Sequence, residues 1–161
     1  MAAEKWMVYT KRADFQKIAD EFGISPVTAR IMRNRDVEGE EAVRRYLFGG
    51  IGDLYDPHLL KDVDLAGSLL KEKIADGKRI RIIGDYDIDG VCSTYILYTA
   101  LTRVGAKVDY EIPDRIKDGY GINGMIIEAA YQDGVDTLLT CDNGIAAVEE
   151  IGRAKELGMT V

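Results

Sequence analysis

A chain of 161 residues, 47% hydrophobic and with a formal charge of −7 at pH 7, is long enough for one medium domain or two small ones with a real core. The acidic balance argues against a broad basic surface for duplex DNA, and no stretch is long and apolar enough to span a membrane as a helix. Met1 to Trp6 lack the apolar core of a signal peptide, and two cysteines make no disulfide framework, so a reducing cytoplasm is the expected setting.

Residues 1–60 read as a helical N-terminal segment, nearly balanced in charge with 9 Lys+Arg against 10 Asp+Glu. Asp14 is placed to cap a helix that runs through Phe22 and stops at Gly23. Ser25 followed by Pro26 is an N-cap with proline at the first helical position, opening a second helix through Met32. Glu40 to Leu47 reads as a third. Gly49-Gly50-Ile51-Gly52 breaks the pattern, and a loop around Asp56-Pro57-His58 follows.

From Lys61 the rhythm changes, and the acidic excess concentrates here, with 12 Lys+Arg against 18 Asp+Glu. A helix over about Leu65 to Ala75 leads to the β-branched run Arg79–Ile83, a buried strand by its composition. A helix from about Val91 to Val104 closes at Gly105, a C′ glycine. A strand over Lys107 to Ile112 precedes the polar, Gly-rich loop 113–121. A helix over about Gly124 to Gln132, a strand over Val135 to Thr140 and a helix from Ile145 to Leu157 complete the series. Alternating strands and helices predict an α/β fold: a parallel, Rossmann-like sheet flanked by helices. Gly158 to Val161 reads as a turn and the start of another strand, so the chain is expected to be a fragment of something longer.

The chemistry concentrates in Gly84-Asp85-Tyr86-Asp87-Ile88-Asp89-Gly90, directly after the first strand. One aspartate there is an ordinary helix cap; three in five residues are not. Carboxylates this close resist ionisation unless a positive charge sits among them, and a hard divalent cation with oxygen ligands is the simplest occupant. Asp142, in Cys141-Asp142-Asn143-Gly144, also stands at a strand-to-helix turn. In a parallel sheet all such turns lie on one edge, so Asp142 is expected to face Asp85, Asp87 and Asp89.

An EF-hand is excluded, because counting from Asp85 the twelfth residue is Ile96 where a bidentate glutamate is needed, and a strand stands in place of the leading helix. An aspartate-nucleophile phosphotransferase remains a rival. Ser93 or Thr94 would supply its hydroxyl, but no lysine can be assigned. A metal-dependent phosphoesterase uses such carboxylates as terminal and bridging ligands of a cation pair, with Gly90 and Gly144 leaving room for phosphate at helix N-termini. His58, the single histidine, reads as a surface or capping residue. Cys92 and Cys141 read as small buried residues beside the turns. Tyr86 is either a buried tyrosine or a stacking surface for a base.

Three stretches resemble the RecJ branch of the DHH phosphoesterase superfamily. They are Ile82 to Val91, Ile112-Pro113-Asp114-Arg115 with Gly119-Tyr120-Gly121, and Thr140 to Ile145. Lys5-Trp6, Gly23-Ile24-Ser25-Pro26, Asn34-Arg35, Pro57 and Leu59 to Asp62 resemble the helical N-terminus of that branch. The resemblance implies a 5′→3′ exonuclease on single-stranded DNA, acting in repair and recombination with Mn²⁺ or Mg²⁺. It makes residues 61–161 the N-terminal part of a DHH-type domain. It implies that Asp85 and Asp87 hold one metal, Asp89 the other, and that Asp142 bridges them. Arg115 becomes a phosphate-contact candidate. The signature Asp-His-His of the superfamily is expected beyond the strand beginning near Met159, so these 161 residues alone are expected to be inactive and to bind Mn²⁺ weakly.

A reading of another class is a helix-turn-helix over Gln16 to Arg35, with Arg30, Arg33 and Arg35 meeting phosphates. It would make the chain a DNA-binding regulator with an α/β sensor domain.

Overall fold

A computed structural model describes residues 7, 11–117, 119 and 121–161. Lys5 and Trp6, and Tyr120 of the Gly-Tyr-Gly stretch, lie outside the described residues. The chain forms two compact units, Met1–Leu59 and Leu60–Val161.

The first unit holds α1 (Phe15–Phe22), α2 (Pro26–Asn34) and α3 (Glu40–Phe48). Each boundary has a local cause. The Asp14 carboxylate accepts from the Lys17 amide, and Gly23 ends α1 with a left-handed φ of 65°. The Ser25 hydroxyl accepts from the Thr28 amide, with Pro26 opening α2. Ala19, Ala29, Met32 and Val43 are buried, and the small alanines let α1 and α2 pack closely. Short 3₁₀ turns at Ile51–Asp53 and Pro57–Leu59 occupy the stretches read as a break and a loop.

The second unit runs α4 (Val63–Ala75), β1 (Arg79–Ile83), α5 (Ile88–Arg103), β2 (Lys107–Glu111), α6 (Gly124–Gln132), β3 (Thr137–Thr140) and α7 (Val148–Glu156). The three strands are parallel in the order β2-β1-β3. Ile80 and Ile82 point to one side, against Leu70 and Ile74 of α4 and Leu97, Tyr98 and Leu101 of α5. Ile83 points to the other, with Ile126, Ile127 and Ala130 of α6 and Ala154 of α7. Full burial of each isoleucine stabilises the sheet by about 1.5–3 kcal/mol. Thr160 forms an isolated parallel bridge with Thr137.

This winding fixes where a site can form. From β1 the chain crosses through α5 to β2, then returns through α6 on the opposite face to β3 (on the far side of β1). The helices after β1 and β3 therefore leave on opposite faces. The crevice between the carboxyl ends of β1 and β3 is the switch point where open α/β sheets bind ligands.

Several boundaries differ from the sequence reading. The helix α5 begins at Ile88, three residues earlier than expected, because Asp87 caps it and draws the acidic turn into the helix start. Helix α7 begins at Val148, three residues later, because the Ala147 amide donates to the Gly144 carbonyl at 3.1 Å and closes a turn over 144–147 first. Cys92 is exposed and not buried. The inward face of α5 is set by Gly90, Thr94 and Leu101, and Cys92 falls outside that helical spacing. Cys141 is half-buried.

Candidate metal centre

The site starts from strand register. Ile83 pairs with Thr140, so two residues further along each chain Asp85 and Asp142 stand at equal offsets on neighbouring strands. Asp85 is 1% exposed, and its Oδ1 accepts from the Tyr86 amide at 2.8 Å. Asp87 caps α5, with Oδ1 accepting from the amides of Asp89 and Gly90, each at 3.0 Å. Asp142 stands on a left-handed residue, a conformation that aspartate tolerates better than most side chains. One carboxylate oxygen each from Asp85, Asp87 and Asp142 lies within 4.8 Å of the other two.

Glycines let the turns approach. A Cβ on Gly84 would lie 2.0 Å from the Thr94 hydroxyl oxygen, and one on Gly90 would lie 2.4 Å from the Asp85 carbonyl oxygen. The N-terminal turn of α5 thus presses against the backbone of the acidic turn.

The charges are unbalanced. Among the described residues no Lys, Arg or His forms an ion pair with Asp85, Asp87 or Asp142. Desolvation pushes the Asp142 carboxyl above its ordinary value, and the neighbouring Asp87, Asp89 and Asp85 carboxylates push it further. Asp87 is held below its ordinary value, chiefly by the Gly90 amide. Opposite shifts within a close carboxylate pair are what like charges produce.

The donor set fits a hard divalent cation: three carboxylates, oxygen only, within reach of one centre. A soft thiolate site has no support, since Cys141 Sγ contacts the Thr94 hydroxyl at 3.5 Å and Cys92 is exposed on α5. Asp89 lies outside the tight cluster, exposed in the first turn of α5, yet close enough to raise Asp142. Arg115 is exposed, with its guanidinium 5.4 Å from the centroid of the half-buried Tyr86 ring, a cation–π distance. Tyr86 belongs to the acidic turn, so this stacking places a cation beside it. His58 is exposed in the first unit. A cavity of about 520 Å³ opens beside Asp142, lined also by Ile122, Asn143, Ile145 and Glu150.

The rival readings find no support. Thr94 is buried under Gly84 and bonded to Cys141, so its hydroxyl serves packing rather than a phosphotransferase. In the helical unit, Arg30 lies 4.5 Å over the Phe15 ring. Arg33 pairs with Glu38 at 2.6 Å and with Asp36 at 3.6 Å. Two of the three arginines meant for phosphates are thus engaged inside the unit.

Residues 79–161 match the DHH family, N-terminal domain. The chain belongs to the DHH family. It is 37% identical over 164 residues to the single-stranded-DNA-specific exonuclease RecJ of Bacillus subtilis (strain 168), covering all of this chain and 21% of that protein. It is 39% identical over 130 residues to the RecJ of Thermus thermophilus, covering 76% of this chain and 19% of that protein. The chain spans about a fifth of the length of these curated relatives. A crystal structure of exonuclease RecJ bound to manganese superposes with a TM-score of 0.58 at 39% identity, over 62% of this chain and 26% of that one. A crystal structure of Thermus thermophilus RecJ in complex with Mn²⁺ gives 0.61 at 28% identity, over 90% and 19%.

Two features of the second unit were not singled out from the sequence. Asn143 donates from its side-chain amide to the Gly84 carbonyl, and its one available signal was its place after Asp142 in a strand-end turn. Arg81, inside the run read as a buried β-branched strand, is 7% exposed and paired with three carboxylates.

Proposed function

We propose that residues 61–161 form the N-terminal part of a DHH-type domain and carry one half of a divalent-metal phosphodiesterase site. The parent activity would be 5′→3′ exonuclease action on single-stranded DNA in repair and recombination, in the cytoplasm. The observation that carries this reading is the convergence of Asp85, Asp87 and Asp142 at the β1/β3 switch point. Membership of the DHH family and the similarity to RecJ exonucleases, two of them in manganese-bound crystal structures, support the choice of metal and substrate.

In this reading Asp85, Asp87 and Asp142 provide ligand oxygens for Mn²⁺ or Mg²⁺. Asp89, in the first turn of α5, serves a second cation of the complete site. A divalent cation here supplies Lewis acidity toward a phosphate oxygen and lowers the pKa of bound water. The chain's own contribution is placement. The sheet register sets Asp85 against Asp142. Burial keeps Asp85 from solvent, and the α5 amides orient Asp87. Arg115, stacked on Tyr86, offers a guanidinium to a DNA phosphate.

The test is a Mn²⁺ titration followed by electron paramagnetic resonance. Saturable binding by the chain that disappears in Asp87→Ala supports the reading; a chain that leaves Mn²⁺ free at millimolar concentration sinks it. These residues contain no Asp-His-His, His58 being the single histidine. On 5′-labelled single strands they are expected to show little or no degradation, and robust degradation would overturn the view that further ligands complete the site.

A further inference from the structure

We propose that Asn143 is a positioning residue for the metal centre, fixing the gap between the Asp85/Asp87 turn and Asp142 by clamping the end of β1. This rests on the metal reading above. The backbone ladder between β1 and β3 reaches its last rung where the Cys141 amide donates to the Ile83 carbonyl at 3.1 Å. Beyond it the two turns diverge toward their helices and carry aspartates that repel. The next rung is made by a side chain: Asn143 Nδ2 donates to the Gly84 carbonyl. Gly84 is thereby tied on both sides, since its own amide donates to the Glu111 carbonyl of β2 at 3.0 Å.

The other half of the Asn143 amide supports the assignment. Its Oδ1 is buried and has no hydrogen-bond partner among the described residues. Structures avoid a buried acceptor without a donor. A turn residue needed only for local stability would satisfy that oxygen or expose it. Here the amide spends its donor on Gly84 at that cost, next to Asp142 and on the wall of the adjoining cavity. Outer groups that orient ligands commonly govern metal affinity by about 10–100-fold.

The experiment measures Mn²⁺ affinity by electron paramagnetic resonance for the 161-residue chain, Asn143→Ala and Asn143→Leu, with melting temperatures in the absence of metal. The leucine variant keeps the approximate shape and volume, adds no charge and loses the donor. Both variants are expected to bind Mn²⁺ about 10–100-fold more weakly. Their metal-free melting temperatures are expected to change little, because the lost clamp held repelling acids together. Unchanged affinity in Asn143→Ala overturns the proposal. So does wild-type affinity in Asn143→Leu, because side-chain volume and not the amide donor would then matter. If the variants fail to fold, the unsubstituted chain still decides. A through-hydrogen-bond scalar coupling between Asn143 Nδ2 and the Gly84 carbonyl carbon is expected by NMR, and its absence overturns the clamp. Failure of the unsubstituted chain to bind Mn²⁺ would remove the metal reading and with it the role given to Asn143.

Discussion

Two acidic clusters sit on one three-stranded sheet, and they are built in opposite ways. On the β1/β2 face, Arg81 is buried and makes a fork to Asp109, with Nε at 2.8 Å and an Nη at 2.9 Å. It also reaches Asp133 at 3.0 Å and Glu111 at 3.7 Å, and Arg79 adds a contact to Asp109 at 3.2 Å. There the protein supplies its own counter-charge. At the carboxyl ends of β1 and β3, Asp85, Asp87 and Asp142 converge with no such partner among the described residues. The titration behaviour follows. The Arg81 hydrogen bonds hold Asp109 below its ordinary value, whereas desolvation and neighbouring carboxylates push Asp142 above it. Acid clusters that stabilise a fold commonly carry paired cations; a cluster without ion pairs is a candidate for a cation from outside.

The comparison breaks first at the metal. Asp142→Asn is expected to lower Mn²⁺ affinity at least about a hundredfold, since removing an outer-shell group already costs about 10–100-fold. Isothermal titration calorimetry measures it, and a loss under tenfold would mean Asp142 is not a ligand. Arg81→Met tests the other cluster. Breaking a buried pair costs roughly 3–5 kcal/mol, but Asp109 is 38% exposed and partly screened by water, so about 2–3 kcal/mol is expected in urea unfolding. Mn²⁺ binding should not change, because Arg81 belongs to the other cluster.

Acidification separates the clusters by sign. The folded pKa of Asp109 is depressed, so its stabilisation is present above the unfolded value, about 3.9, and is lost as pH falls through the folded value. In Asp109→Asn that part of the acid-induced loss should vanish from unfolding curves. The folded pKa of Asp142 is raised, so its ionised form weakens the metal-free fold at neutral pH. Asp142→Asn should therefore be more stable than the unsubstituted chain at pH 7 without metal, a gain that fades once pH drops below the ordinary 3.8. An equal gain at pH 3 would contradict like-charge repulsion as its cause. The smallest effect concerns Arg115. Arg115→Ala should leave Mn²⁺ affinity intact and reduce the salt dependence of single-strand binding by about 0.7 in the log–log slope. A slope identical to that of the unsubstituted chain would remove Arg115 from the interface.

The architecture was legible because its cues are short-ranged. Apolar runs mark β1 and β3, Ser25-Pro26 and Asp14 mark helix starts, and Gly105 marks a helix end. The facing of Asp142 and Asp85 followed from parallel topology alone. Helix starts around the site were harder to read. An aspartate at Asp87 signals a turn and a cap equally well, and the left-handed residues at 142 and 144 leave no mark in hydropathy. The internal ion pairs were invisible for a different reason. Arg81 pairs with Asp109 across strands and with Asp133 after α6, and those partners meet only through the register. Asn143 and the Tyr86–Arg115 stack likewise depend on separations that no local pattern encodes.

Because β1 and β3 are hydrogen-bonded neighbours with Ile83 opposite Thr140, Asp85 and Asp142 leave the sheet at the same offset, from strands about 4.7–4.9 Å apart. Loop length does not enter. Insertions in the connections around α6 or α7 would leave that offset untouched, while a one-residue slip of β3 would turn Asp142 to the opposite side of the sheet. The meeting of these two carboxylates is thus a property of pleated backbone, and the surrounding loops can vary without separating them.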